Sequence, residues 1–231
     1  MTPSGLVVSN RYDLSPVASS TKDEFLIAYG IIAVNPTKNK HKGYNKIMDE
    51  KRADLLLMLL YAPGISGKVA EPLAGVTRLN KLLFLLENEG GVEKNFDFKP
   101  YKMGPYSSKI NPVIEFLTTF PDPKKPVVIM KEGYVKSGTN LEQTQYMDDI
   151  ASTDDRAEEL DKYNSSTFSL SDSGVKLAQA IWNSAPDNLR STVETIKTKY
   201  SSLTLNQLLK YVYSNYPDMI TRSEIRDKIL P

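Results

Sequence analysis

The chain has 231 residues, 40% of them apolar, and its 29 lysines and arginines nearly balance its 28 aspartates and glutamates. This composition can bury a sizeable core, and the small net charge gives no general attraction to nucleic acid or to an anionic membrane. Cysteine is absent and His41 is the single histidine. This excludes disulfide frameworks, cysteine-rich zinc sites and most histidine-based catalysis within one chain. We therefore expect a protein that is not an enzyme.

The first 46 residues have the weakest periodicity. Their longest apolar run, Phe25 to Val34, falls far short of the roughly 20 residues that cross a bilayer, and no basic leader precedes it. We therefore expect a cytoplasmic protein outside the membrane. A capping-box spacing from Thr21 to Glu24 favours a helix up to Asn35, and a strand is the alternative. We interpret residues 1–46 as an N-terminal arm or accessory element.

Two helices and an extended segment are predicted next. The helix from Glu50 to Tyr61 is apolar on every side, so we expect neighbours to cover it all round. The helix from Arg78 to Glu89 has leucines at helical spacing, and Thr77 is suited to cap it. From Phe96 to Tyr101 aromatic and polar residues alternate, which indicates a short edge strand, and residues 103–106 have the composition of a tight turn.

A third helix is predicted from about Ser107 to Thr119. Pro112 lacks an amide N–H, so the alternative is a later start, with Asn111 as the cap and Pro112 at the first helical position. With that start, the exposed face shows Glu115 where a DNA-binding helix usually shows lysine or arginine.

Two strands follow, with an acidic segment between them. The strands are predicted at Val127 to Val135 and at Thr167 to Leu170. Residues 137–163 contain eight acidic residues and two basic ones, which indicates a solvated insertion. Its paired aspartates lack the glycine turn and terminal glutamate of a calcium loop, so we expect no metal and no cofactor.

The rest of the chain is predicted to be helical. Apolar spacing predicts helices around Trp182, around Ile196 and after Thr204, which can cap the third of them. A second capping-box spacing, Thr221 to Glu224, precedes a short last helix from Ser223 to Leu230.

Three short helices followed by two strands is the order of a winged helix, in which helices two and three form a helix-turn-helix and the strands form the wing. The sequence therefore predicts an α+β, mainly helical fold. We expect a winged helix-turn-helix core at residues 47–171, which includes the acidic insertion, and a C-terminal helical extension at residues 172–231.

Three strings in the chain support a family resemblance. Residues 81–86 read Lys-Leu-Leu-Phe-Leu-Leu, residues 96–107 read Phe-Asp-Phe-Lys-Pro-Tyr-Lys-Met-Gly-Pro-Tyr-Ser, and residues 208–217 read Leu-Leu-Lys-Tyr-Val-Tyr-Ser-Asn-Tyr-Pro. With Ser223 and Ile225, they make the chain from Asp49 to Leu230 resemble a prokaryotic winged-helix family related to the Panacea (SocA-type) antitoxin domain. The resemblance implies a non-enzymatic regulator or antitoxin whose partner is DNA, a toxin or a protease.

The segment around the start of the third helix is the candidate DNA-binding site. A helix-turn-helix places the start of its second helix in the DNA groove, where short polar side chains meet base edges and lysines meet phosphates. We expect a regulator that binds double-stranded DNA as a homodimer. The residues predicted to contact DNA are Arg78, Lys81, Lys102, Ser107, Ser108, Lys109 and Asn111.

The same residues have a second interpretation. The residue types at 104–107 are also typical of a turn followed by a helix cap, with no role in binding. In addition, an acidic insertion between the wing strands would repel a DNA duplex at close range. The alternative hypothesis is therefore an antitoxin-like adaptor that binds a protein such as a toxin, with the acidic insertion and the C-terminal helices as contacts.

Overall fold

The computed structural model of the protein describes the backbone of residues 40–131 and 166–230, and the side chains from residue 50 onward within those ranges. Over these residues the fold is α+β, with several helices and two small antiparallel sheets. Residues 1–39, the acidic insertion 137–163 and the side chain of His41 lie outside the described residues.

The elements in chain order are α1 (Lys40–Tyr61), β1 (Leu73–Ala74), α2 (Val76–Asn88), β2 (Lys99–Tyr101), β3 (Gly104–Tyr106), α3 (Ile110–Thr119), β4 (Val128–Lys131), β5 (Thr167–Leu170), α4 (Asp172–Ser184), α5 (Asp187–Ser201), α6 (Leu205–Asn215), a 3-10 turn (Pro217–Ile220) and α7 (Arg226–Ile229). Most of the predicted helices are present, with shifted ends.

The first helix is longer than predicted, and the two that follow begin elsewhere. α1 extends back to Lys40, and its residues 55–60 are all buried, as expected for a helix that is apolar on every side. α2 begins after Gly75, whose φ of 90° suits glycine, so the predicted cap by Thr77 is wrong. α3 begins at Ile110, three residues after the predicted start, and its cap is Lys109, so the alternative cap at Asn111 is wrong. Pro112 lies in the first turn, where an amide N–H would have no intrahelical acceptor, so the proline costs no hydrogen bond there.

The larger sheet has three antiparallel strands in the order β1, β5, β4. β5 has the predicted bounds, the described part of β4 lies within the predicted strand, and β1 was not predicted from the sequence. Phe168 in the central strand pairs with Leu73 on one side and Met130 on the other, and its side chain is buried. The sheet therefore joins segments that are far apart in the chain.

The C-terminal helices pack against α1 and α2. α4 lies along α1, and α2 contacts α5 and α6, so that their buried side chains form one cluster. The predicted cap at Thr204 is confirmed, since its hydroxyl accepts from the Gln207 amide and the Gln207 side chain reaches back to Thr204. The predicted capping box at Thr221 is wrong, because α7 begins after Ile225.

Within residues 40–131 and 166–230, no helix combines the length and the apolar character needed to cross a bilayer.

Candidate partner-binding surface

A β-hairpin separates α2 from α3. β2 and β3 pair antiparallel, with Tyr101 opposite Gly104, so residues 104–106 are a strand and the predicted tight turn over residues 103–106 is wrong. Gly104 has a φ of 82°, and a Cβ there would lie 2.8 Å from Cε1 of Tyr213. The position requires glycine for its backbone and for the close approach of the tyrosine ring.

Polar side chains of α2 hold this hairpin in place. The Lys81 ammonium donates to the Pro105 carbonyl at 2.8 Å, and the Asn80 side chain accepts from the Ser107 amide at 3.3 Å. One oxygen of the buried Glu87 carboxylate accepts from the amides of Asn95 and Phe96 at 2.6 and 2.8 Å. α2 therefore bonds strand β3 directly through Lys81, and it bonds the segments before and after the hairpin through Glu87 and Asn80.

Two of the predicted phosphate contacts lie inside the protein. Lys81 is 2% exposed, and burial lowers the pKa of its ammonium to about 7. Arg78 is also buried and donates to the carbonyl of Tyr200 at 3.2 Å. In this structure both side chains are covered by other elements and do not reach solvent as phosphate contacts require.

Ser107 and Lys102 are also engaged within the chain. The buried Ser107 hydroxyl donates to the Phe96 carbonyl and accepts from the Lys109 amide at 3.0 Å. The Lys102 ammonium lies 3.0 Å from the Glu224 carboxylate, and its side chain is mostly covered. Ser107 therefore shapes the segment before α3, while Lys102 joins the hairpin to the C-terminal end of the chain.

Three predicted contacts, Ser108, Lys109 and Asn111, are exposed together at the start of α3. α3 turns Ile110, Val113, Ile114 and Leu117 into the core, which leaves the opposite side outward. We call this outward surface the α3 face. It comprises Ser108, Lys109, Asn111, Pro112, Glu115, Phe116 and Thr119, with Tyr101 and Tyr106 of the hairpin beside it.

Aromatic rings lie towards both ends of the α3 face. The rings of Tyr101 and Tyr106 are 5.0 Å apart between centroids, and the Asn111 amide donates to the Tyr106 hydroxyl at 3.4 Å. Near the other end, Phe116 is 41% exposed and stacks on Phe120 at 4.9 Å. The face therefore carries aromatic area together with one lysine and one glutamate.

The aromatic part of this surface was missed by the sequence reasoning. Tyr101 is 42% exposed, whereas the alternation from Phe96 to Tyr101 predicts a short edge strand and gives Tyr101 no role in a surface. Phe116 lies outside the repeating apolar positions of its helix, and that departure is the signal that could have identified it.

Within residues 40–131 and 166–230, no three histidine, aspartate or glutamate side chains lie together as ligands for a metal ion. Comparisons with protein-family models, curated proteins and solved structures gave no match.

Proposed function

We propose that this chain is a non-enzymatic winged-helix protein that binds a protein partner through the α3 face. The topology supports the fold, because β1 lies between α1 and α2 in the chain and pairs with β5, and β5 pairs with β4 after α3. In this interpretation α2 and α3 form the helix-turn-helix, the hairpin is an insertion between them, and β4 and β5 are the wing.

The chemistry of the α3 face carries the choice of a protein partner. Protein interfaces are enriched in tyrosine and phenylalanine and poor in lysine and glutamate at their centres. The face has Phe116, with Tyr101 and Tyr106 beside it, and its two charged residues, Lys109 and Glu115, have opposite signs. Aromatic side chains that a folded scaffold already holds lose little freedom on binding, which favours affinity.

Hydrogen bonds behind the surface strengthen this proposal. Lys81 and Asn80 bond the inner side of the segment that carries Tyr106, and Ser107 ties the same segment to Phe96. The tyrosine pair is therefore displayed by a bonded hairpin instead of a loose loop. A surface held in this way is suited to a preformed fit.

DNA binding is the second candidate function. Ser108, Lys109 and Asn111 are exposed at the start of α3, where a helix-turn-helix contacts base edges and phosphates. DNA affinity depends chiefly on cations that neutralise phosphates, however, and Arg78 and Lys81 are buried while Lys102 faces Glu224. The charged residues left on the α3 face are Lys109 and Glu115, which have opposite signs, and this supports a protein partner better than DNA.

A site-specific photocrosslinking experiment tests the proposal. A photoreactive phenylalanine analogue replaces Phe116 in one variant and the exposed Gln179 of α4 in the control, and both are expressed in the native host. We expect one dominant protein adduct at position 116 that is absent at position 179. The proposal is wrong if both positions give the same adducts, or if position 116 crosslinks to DNA alone.

A further inference from the structure

A carboxylate at the end of α2 is hydrogen-bonded to three tyrosine hydroxyls. Glu89 accepts hydrogen bonds from Tyr211 at 2.8 Å, from Tyr216 at 3.1 Å and from Tyr200. The tyrosines come from the end of α5, from α6 and from the residue that follows α6. We call Glu89, Tyr200, Tyr211 and Tyr216 the Glu89 cage.

An ammonium group from the same chain occupies this cage. Lys199 Nζ lies 3.8 Å from a Glu89 oxygen and donates to the Tyr200 hydroxyl at 2.7 Å. It also lies 4.5 Å from the ring centroid of Tyr200 and 5.4 Å from that of Tyr211. A carboxylate beside two aromatic rings is the arrangement that recognises organic cations, because the ring faces and the carboxylate both attract positive charge.

The contacts of Lys199 lie at the protein surface, where a lysine side chain can exchange between positions. Its side chain is 55% exposed, whereas that of Glu89 is 21% exposed. Lys197 shows the opposite case, since its buried ammonium donates to the carbonyls of Leu60 and Ala62 at 2.9 and 2.6 Å. An exposed lysine changes rotamer readily and can leave the cage without disturbing the core.

We propose that the Glu89 cage binds an alkylammonium group supplied from outside the chain, and that Lys199 fills the cage until that ligand displaces it. The ligand class is a primary or methylated ammonium, carried either by a small molecule or by a lysine side chain of another protein. The phenols suit this role because they stay neutral. Burial and the hydrogen bonds to Glu89 raise the pKa of Tyr200 and of Tyr216.

Removal of the internal competitor gives a direct test. Tetramethylammonium is titrated into the wild type, K199A and K210A, and the ring signals of ¹³C-labelled tyrosines are followed by NMR. Lys210 is an exposed lysine on α6, so K210A matches the charge change without opening the cage. We expect K199A to bind about tenfold more tightly than the wild type, because an internal ligand competes at high effective concentration. K210A should match the wild type.

Further arms identify the interaction and its source. K199A should bind tert-butanol, a neutral molecule of similar shape, at least about tenfold more weakly than tetramethylammonium. The double variant K199A/Y211L should lose most of the tetramethylammonium affinity, because it lacks one of the two rings.

A short peptide with trimethyllysine tests the source of the ligand. If the peptide binds more tightly than the free ion, the ligand is assigned to a protein side chain, and equal affinities assign it to a small molecule. The proposal is overturned if K199A binds no more tightly than K210A, or if tert-butanol binds as well as the cation. Unchanged thermal unfolding of K199A verifies that the variant is folded.

Discussion

Helices α2 and α3 both carry polar residues that the sequence assigns to DNA, yet the structure uses them in different ways. Arg78 and Lys81 of α2 are buried, one against the end of α5 and the other against the hairpin. At the start of α3, Lys109 and Asn111 are exposed, and Phe116 is exposed further along the helix. The comparison shows that residue type sets the chemistry of a helix, whereas the elements packed over it decide which residues a partner can reach.

The largest expected effect contrasts one phenylalanine from each helix. Phe84 of α2 is fully buried and makes edge contacts with Phe98 and Tyr216, so Phe84→Ala should lower the free energy of unfolding by about 3–5 kcal/mol. Phe116→Ala should cost less than about 1 kcal/mol, because its ring is already partly in water. Equilibrium urea unfolding measures both, and similar losses would contradict the contrast.

The buried lysines should make stability depend on pH. The pKa is lowered by burial from 10.5 to about 7 for Lys81 and to about 8 for Lys197. Between those values and 10.5 the unfolded chain binds more protons than the folded one, so stability should rise with pH through this window and be lowest below it.

The matching variant is Lys81→Met. It should remove part of that rise, on the order of 3 kcal/mol between pH 7 and pH 10, since one buried charge no longer has to be neutralised. Lys109→Met is the control, because it removes a charge of the same sign from an exposed position, and the rise in stability should be smaller in Lys81→Met than in this variant. Urea unfolding at several pH values decides the question, and a Lys81→Met profile that overlays the wild type would show that Lys81 reaches water.

Two neighbouring serines sharpen the comparison at smaller scale. Ser107 is buried and bonded to the Phe96 carbonyl, so Ser107→Ala should cost about 1–3 kcal/mol of unfolding free energy. Ser108 is exposed, and Ser108→Ala should stay within about 0.5 kcal/mol of the wild type. Thermal unfolding of the two variants measures both losses of stability. A larger loss for Ser108→Ala than for Ser107→Ala would contradict the assignment of Ser107 as the buried serine and Ser108 as the exposed one.

The smallest effect concerns the ion pair between Lys102 and Glu224. Its ammonium and carboxylate are 3.0 Å apart, and the glutamate side chain is mostly in solvent. Lys102→Ala should therefore cost about 0–1 kcal/mol, and less in high salt. A double-mutant cycle with Glu224→Ala measures the coupling, and a coupling of several kcal/mol would show that the pair is far better shielded than its geometry indicates.

Elements with strong apolar periodicity could be predicted from the sequence. Val113, Ile114 and Leu117 fix the inner side of α3, and the alternation at Thr167 to Leu170 gives β5 its bounds. β1 could not be predicted in this way. It has two residues, and its pairing with Phe168 and Thr167 depends on a segment far along the chain.

The candidate site was less predictable for a related reason. Lys81 and Lys109 look alike in the sequence, but Lys81 is buried and Lys109 is exposed. Lys81 is bonded to a hairpin whose strand β3 contains Gly104 and Pro105, residues that usually mark turns. Tyr101 is exposed because that hairpin turns it outward, a consequence of tertiary packing that local periodicity does not contain.

Covalent labelling of lysines tests the contrast between the two helices most directly. The native protein is exposed briefly to an acylating reagent at pH 7.5, and the extent of modification at each lysine is read by mass spectrometry. We expect Lys109 to be modified rapidly and Lys81 to be protected until the protein is unfolded by urea. If Lys81 is modified in the native state at a rate close to that of Lys109, then α2 is as accessible as α3. That result would contradict the assignment of the α3 face as the outward surface of the two helices.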